Sequence, residues 1–207
     1  MRAGPAFLAL LGAAAASPAA AQSPTLTVTL QKLVPRVQAA GLLADGKFVG
    51  LMHSGFPLRL HYRLELWRAR SGWFDQYVSE ASWDAVARHD PLADDFVLIR
   101  TGGSVARYGT PEDLERALEI PFRVNLKARG SGNFYFLCRL EVTTLNDTDL
   151  EELTRWLKGD VSPAVSGGGN VGGALARGAQ RLLVRIAGLP RLALEARSEA
   201  FPVPPPD

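Results

Sequence analysis

The densest group of residues that could take part in binding lies in one short stretch, residues 65–75. Two tryptophans, two arginines, a phenylalanine and an aspartate crowd a predicted hairpin turn there. Tryptophan and arginine dominate the hot spots of protein interfaces, so the stretch is predicted to be a partner-binding edge. In the alternative interpretation, the rings close one end of the core, and the arginines stack on them or pair with acids. The predicted partner-binding residues are Trp67, Arg68, Arg70, Trp73, Phe74 and Asp75.

Nucleophilic hydrolysis would require an activated serine, a histidine base and an orienting carboxylate. The adjacent His53 and Ser54 are the best starting point for such a set. The nucleophile elbow G-x-S-x-G fails around them, because Met52 and Phe56 stand where it requires glycine. A secreted hydrolase that uses a scattered set therefore remains the alternative hypothesis. Its members would come from Ser54, His53, His61, His89, Asp75 and Asp90.

Metal and cofactor sites lack convincing motifs. The chain has no H-E-x-x-H and no paired cysteines, and its three histidines have no ligand partner at metal-site spacing. Residues 167–172 match the dinucleotide fingerprint G-x-G-x-x-G, and Glu195 follows near the sequence separation expected of the acid that binds the ribose. However, Pro163 interrupts the strand that must precede the glycines. We interpret the glycines as a linker and predict no cofactor and no metal. Cys138 lies in an apolar strand pattern and is predicted to be a small buried hydrophobe.

Alternating side chains dominate the elements that must position these residues. From Leu58 to Leu66 every second residue is apolar, which predicts a strand with one buried and one wet face. Rougher runs of the same kind, separated by Gly, Pro, Asn and Asp, predict a mainly β domain that resembles an antiparallel sandwich. These runs cover 25–30, 37–43, 73–86, 96–101, 122–127, 134–145 and 191–197, with turns at 45–46 and 130–133.

Two or three short helices are expected at the periphery of the sheets. Thr110 and Pro111 provide a cap and a first helical residue for a helix over 110–119. Thr148 begins a capping box for a helix over 148–158. Residues 174–187 form a basic amphipathic pattern that would dock on the sheet.

The beginning of the chain has the pattern of a secretory signal. Arg2 precedes an apolar run over 7–16, and three alanines end at residue 21 before Gln22. We expect a cleaved signal over 1–21 and a product exported to the periplasm or the extracellular space, with an uncut, anchored form as the alternative. A strand-rich domain over 22–160 is then followed by a glycine-rich loop, docking helix and final strand over 161–201 and by a loose, proline-rich tail over 202–207.

The run Ser54-Gly55-Phe56-Pro57-Leu58-Arg59-Leu60, followed by the tryptophan-rich turn that ends in Trp73-Phe74-Asp75, resembles an exported bacterial family known as domain of unknown function 4390. The resemblance covers roughly residues 26–145; the helix at 148–158 and the glycine-rich tail depart from it. It implies an exported domain with no assigned activity or catalytic residues, often encoded beside a membrane sensor kinase in proteobacteria.

The expected function is therefore a non-enzymatic interaction or assembly module in the cell envelope. Its partner would be the outer part of a membrane protein such as a sensor kinase. Nucleic acid is excluded as a partner, because 23 basic and 21 acidic residues leave no basic excess of the size that binding requires. A third hypothesis is a peripheral membrane protein, since basic amphipathic helices lie on anionic lipid. That contact would use Arg177, Arg181 and Arg185.

Overall fold

The computed structural model describes residues 23–144 and 190–205, which form ten strands and two helices. The protein is mainly β and antiparallel, as predicted. The predicted signal at 1–21, the predicted helices at 148–158 and 174–187 and the predicted glycine-rich loop lie outside the described residues. The elements are β1 (Thr25–Gln31), β2 (Val34–Ala40), α1 (Lys47–His53), β3 (Leu58–Ala69), β4 (Gln76–Asp90), β5 (Asp95–Arg100), β6 (Ser104–Tyr108), α2 (Pro111–Leu118), β7 (Phe122–Arg123), β8 (Gly132–Thr143), β9 (Leu192–Arg197) and β10 (Phe201–Val203).

The larger sheet is built around β3. Its strand order is β10-β8-β3-β4-β5-β6, and β9 pairs with the same edge of β8 as β10 does. The predicted alternation is confirmed, because the even-numbered residues from Leu58 to Leu66 are all buried. Side chains of the odd-numbered residues point to the opposite face, which we call the outer face. Its exposed members include His61 and Arg63.

A smaller sheet, β1-β2-β7, covers the apolar face of the larger one. Side chains of both sheets belong to one hydrophobic core. Three stacked rings join the sheets: Phe122 of β7 lies 5.0 Å from Trp83 of β4, and Trp83 lies 5.0 Å from Tyr62 of β3. The two antiparallel sheets therefore enclose a common core, as a sandwich does.

Both described helices cover this core. In α2 the hydroxyl of Thr110 accepts a hydrogen bond from the Asp113 backbone N–H at 3.1 Å, which confirms the predicted cap, and Leu114 and Leu118 are buried. From the sequence we predicted only a turn before α1, at residues 45–46. That turn exists, with Gly46 at φ 70°, but it leads into a helix that buries Phe48 and Met52.

Several strand boundaries differ from the predicted ones. β2 begins at Val34, earlier than expected, because Lys32 and Leu33 form a two-residue turn at φ 51° and 62°. β7 is only two residues long, and β6 was not predicted. At the end of the chain, where a loose tail was expected from residue 202, Pro202 and Val203 pair with β8.

Ser198 connects β9 to β10 along the edge of β8. Its backbone N–H donates to the Phe136 carbonyl at 2.9 Å, and its hydroxyl accepts from the Phe136 N–H at 2.9 Å. The serine side chain therefore satisfies a buried donor where β9 has ended and β10 has not begun.

We predict that Ser198→Ala destabilises the protein by about 1–3 kcal/mol, since the Phe136 N–H would stay buried without an acceptor. Urea unfolding followed by tryptophan fluorescence measures this loss. Ser104→Ala on the exposed edge strand β6 is the control, and we expect it to change stability by less than about 0.5 kcal/mol. Equal stability of the two variants would contradict the assigned role of Ser198.

Candidate functional site

The candidate site is the turn between β3 and β4, residues 70–75, which we call the tip. Trp73 and Phe74 lie at its end, and their exposed fractions are 81% and 95%. Contiguous exposed apolar patches often mark interaction sites, whereas single exposed apolar residues are normal. The predicted partner-binding edge thus projects its two central rings into solvent.

The base of the tip is held by Asp75. Its carboxylate accepts hydrogen bonds from the Tyr135 hydroxyl at 2.7 Å and from the Arg70 backbone N–H at 3.2 Å. These two donors lower the pKa of Asp75 below its usual value, the hydrogen bond from Tyr135 being the larger cause. The Arg197 guanidinium lies 3.5 Å from the centre of the Tyr135 ring, and Arg70 also bonds to the side chain of Gln76. The turn is therefore tied to β8 and β9.

Trp67 and Arg68 make internal contacts. The indole N–H of Trp67 donates to Glu65 at 2.9 Å, and its ring meets Tyr77 edge to face at 5.6 Å. Arg68 donates to the Ser131 carbonyl and lies 5.9 Å from the Phe134 ring. For Trp67 and Arg68 the alternative interpretation therefore holds: the tryptophan ring helps to close this end of the sheet, and the arginine packs near an aromatic ring.

Two further residues at this end were missed by the sequence analysis. Tyr77 and Val78 are exposed at the start of β4. The pairing of β4 with β3 shifts register here, since Leu66 is opposite Ser79 and Trp67 is opposite Tyr77, so Val78 is the extra residue of a β-bulge. We call Trp73, Phe74, Tyr77 and Val78 the tip patch. A bulge depends on the pairing of two strands, so no local sequence signal could have shown it.

Below the tip, the outer face carries a row of alternating charges, which we call the charge ladder. Glu65, only 4% exposed, is its centre: one carboxylate oxygen lies 3.1 Å from Arg63 and 3.2 Å from Arg139. Arg63 continues to Glu80 at 2.9 Å, and Arg139 continues to Glu195 at 2.8 Å. The other oxygen of Glu65 accepts a hydrogen bond from the Trp67 indole N–H, so the charge ladder also positions the base of the tip.

The residues proposed for a hydrolase are not assembled. The Ser54 hydroxyl donates to the Gly50 carbonyl of its own helix at 2.9 Å. The His53 ring packs 4.4 Å from that of His89, and His61 pairs on the outer face with Asp84 at 2.8 Å. Asp75 lies beyond the far end of β3, a twelve-residue strand of about 40 Å. No serine, histidine and aspartate among the described residues form a hydrogen-bonded set.

Cys138 is fully buried in β8, as predicted, and burial raises the pKa of its thiol to about 12. Within 23–144 and 190–205, no three His, Cys, Asp or Glu side chains are placed to hold a metal ion. Glu195, which a dinucleotide site would require, is paired with Arg139. The glycines at 167–172 lie outside the described residues, as do the three proposed membrane contacts Arg177, Arg181 and Arg185.

A pocket opens between the two sheets, near the middle of β4. Trp83, Phe122 and Arg100 line it, together with the exposed Ile120. We call it the inter-sheet pocket. Its lining is mainly apolar, and the only charged groups among its residues are Asp84 and Arg100.

These features define a two-sheet, mainly β domain with an anchored aromatic tip. Residues 24–126 match the model of the family described as "Domain of unknown function (DUF4390)", the family that the sequence resembles. The match runs from β1 through β7 and ends before β8. Among the curated proteins and the solved structures, none matches the chain. In the described parts of the chain, neither helix has the length and apolar character needed to cross a bilayer.

We predict that Asp75 titrates below its ordinary value of 3.8. Because its pKa is lowered in the folded state, its hydrogen bonds contribute stability above the unfolded pKa, and that contribution is lost as the pH falls through the folded pKa. The carboxyl carbon shift in an NMR titration measures the midpoint, and a midpoint at or above 3.8 would contradict the geometry.

We also predict that Asp75→Ala speeds amide exchange at Arg70, whereas Asp75→Asn keeps an acceptor oxygen and should speed that exchange less.

Proposed function

We propose that this protein is an exported, non-enzymatic interaction module of the cell envelope that docks on another envelope protein through the tip patch. The observation that carries the proposal is the exposure of Trp73 and Phe74 on a turn that Asp75 ties to the sheet. Burial of an aromatic side chain contributes about 1.5–3 kcal/mol, so these two rings could supply several kcal/mol of binding energy.

The anchoring of the tip supports binding as its role. A turn that is already ordered loses little conformational entropy when it docks, and preorganised surfaces bind more tightly for that reason. The hydrogen bonds of Asp75 to Tyr135 and Arg70 provide this order. Trp67 and Arg68 were predicted to bind the partner, but they make internal contacts. We therefore limit the proposed contact surface to the tip patch, and we assign Trp67 and Arg68 to the structure that supports it.

Export and the identity of the partner are parts of the same proposal. Export is supported by the signal pattern over residues 1–21, and the envelope is where such a product would meet its partner. The outer part of a membrane sensor kinase is the partner we favour, because the family resembled by this chain is often encoded beside one. The Ser54 hydroxyl is bonded to the backbone of its own helix, and Asp75 lies beyond the far end of β3; both observations favour binding over hydrolysis.

The test is a photo-cross-linking experiment in intact envelopes. A benzophenone side chain at position 74 should cross-link to the outer domain of a membrane protein. Excess unlabelled wild type should compete for that product, whereas the Trp73→Ser, Phe74→Ser double variant should compete at least tenfold less well. Trp67 stays unchanged, because its replacement would disturb the contacts with Glu65 and Tyr77.

Leu92 provides a matched control. It lies in the turn between β4 and β5 and is 98% exposed, so Leu92→Ser removes an equally exposed apolar side chain from another turn. We expect this variant to compete like the wild type. Equal competition by the tip variant, with both variants folded by circular dichroism, would refute the tip as the docking surface. Flotation with anionic vesicles that depends on Trp73 and Phe74 would instead assign the tip to the membrane surface.

A further inference from the structure

One half of β4 has an open edge. β4 pairs with β3 from Gln76 to Ala87, but β5 pairs only with its second half, from Ala85 onward. Among residues 23–144 and 190–205, no strand pairs with the other side of residues 77–82. We call this segment the β4 edge. It begins at the tip patch and ends beside the inter-sheet pocket.

The direction of the backbone groups follows from Asp84. Its N–H donates to the Thr101 hydroxyl at 2.8 Å, and its carbonyl accepts from the Thr101 N–H at 3.0 Å, so both groups point towards β5. In an antiparallel strand the N–H and C=O of one residue point to the same side, and the side alternates with each residue. Ser82 and Glu80 therefore present their N–H and C=O groups along the β4 edge, and Ala81 and Trp83 present theirs to β3.

Apolar side chains lie at both ends of the β4 edge. Tyr77 and Val78 are exposed at the tip end. At the other end the inter-sheet pocket is lined by Trp83, by Phe122 and by Ile120, whose exposed fraction is 65%. The six residues 77–82 span about 20 Å at the rise of an extended strand. An added strand would thus find backbone partners along its length and apolar contacts at both ends.

Charge and bulges often protect open edges against pairing. Here the bulge at Val78 lies at one end, and Glu80 is paired with Arg63 at 2.9 Å. Neither feature removes the outward N–H and C=O groups of Ser82. The end of the β4 edge beside the inter-sheet pocket therefore remains a template for pairing with a further strand.

We propose that the β4 edge binds an extended segment of the partner protein by strand addition, with one small apolar side chain of that segment entering the inter-sheet pocket, whose volume is about 50 Å³. This is an established mode of peptide recognition, in which main-chain hydrogen bonds give affinity and pockets for alternate side chains give specificity. The inference rests on the proposed binding function, since the tip patch would contact the same partner beside the added strand.

Amide hydrogen exchange of the free protein is the first test. The N–H groups of Glu80 and Ser82 should exchange at least a hundredfold faster than those of Ala81 and Trp83, which face β3. Slow exchange at Glu80 and Ser82 in the free, monomeric protein would mean that its own chain covers the edge, and this would overturn the proposal. A dimer that dissociates in the Ser82→Pro variant would also overturn it, because a second copy would then be the occupant.

A displayed library of random octapeptides is the probe for the second test. We expect selection to enrich peptides with alternating apolar residues. Ser82→Pro removes only an outward N–H, which an edge strand tolerates, and should weaken binding of these peptides at least tenfold. Ser82→Ala is the matched control, since it keeps the N–H, and should bind within twofold of the wild type. No enrichment, or equal binding by the proline and alanine variants, would refute strand addition.

The two proposals can fail separately. If the envelope partner cross-linked at position 74 is competed equally by wild type and Ser82→Pro, but poorly by the Trp73→Ser, Phe74→Ser variant, docking stands and strand addition fails. If octapeptides bind the β4 edge and no envelope protein is cross-linked, the edge is a peptide site and the tip proposal fails. Circular dichroism and unchanged amide signals of β3 verify that Ser82→Pro is folded.

Discussion

The two-faced pattern of β3 is the constraint on which the rest of the structure depends. Leu58, Leu60, Leu64 and Leu66 are fully buried, and the alternate residues are charged or polar. A shift of one residue would bring those charges into the core, so the register of β3 is strongly determined. β4 and β8 both pair along β3, although β8 lies outside the residues that match the family. The central strand of the family-matched segment, β3, therefore has one of its two neighbouring strands, β8, outside that segment.

The charge ladder extends this constraint to the opposite face. Glu65 is buried although it points outward, and it is stable there because Arg63 and Arg139 both contact it. Loss of one partner from a buried ion pair is costly, because the remaining charge is desolvated and uncompensated. Glu65 also accepts a hydrogen bond from the indole N–H of Trp67, whose ring packs on Tyr77. Core, ladder and tip are therefore one connected arrangement, in which the position of the tip follows from the register of β3.

The parts of the fold that the sequence predicted are those with local signals. Alternation over 58–66 shows a half-buried strand, and Thr110 shows a helix start, because side chain and backbone interact within a few residues. The turn at Lys32 and Leu33 has positive φ at both residues, a conformation usually adopted by glycine or asparagine. Because lysine and leucine stand there instead, the sequence gives no sign of the turn. The pairing of β10 with β8, bridged by Ser198, joins segments more than sixty residues apart and leaves no local pattern.

At the candidate site, composition located the tip but could not separate its exposed rings from its supporting ones. Trp67 and Trp73 are the same residue type six positions apart, and only the contacts across β3, β4 and β8 make one internal and the other exposed. The open edge at Ser82 was equally invisible, because it depends on where β5 stops pairing with β4. Backbone groups carry no sequence signature, so an interface built on them becomes visible only when the strand order is known. That order places an open edge and an aromatic tip side by side.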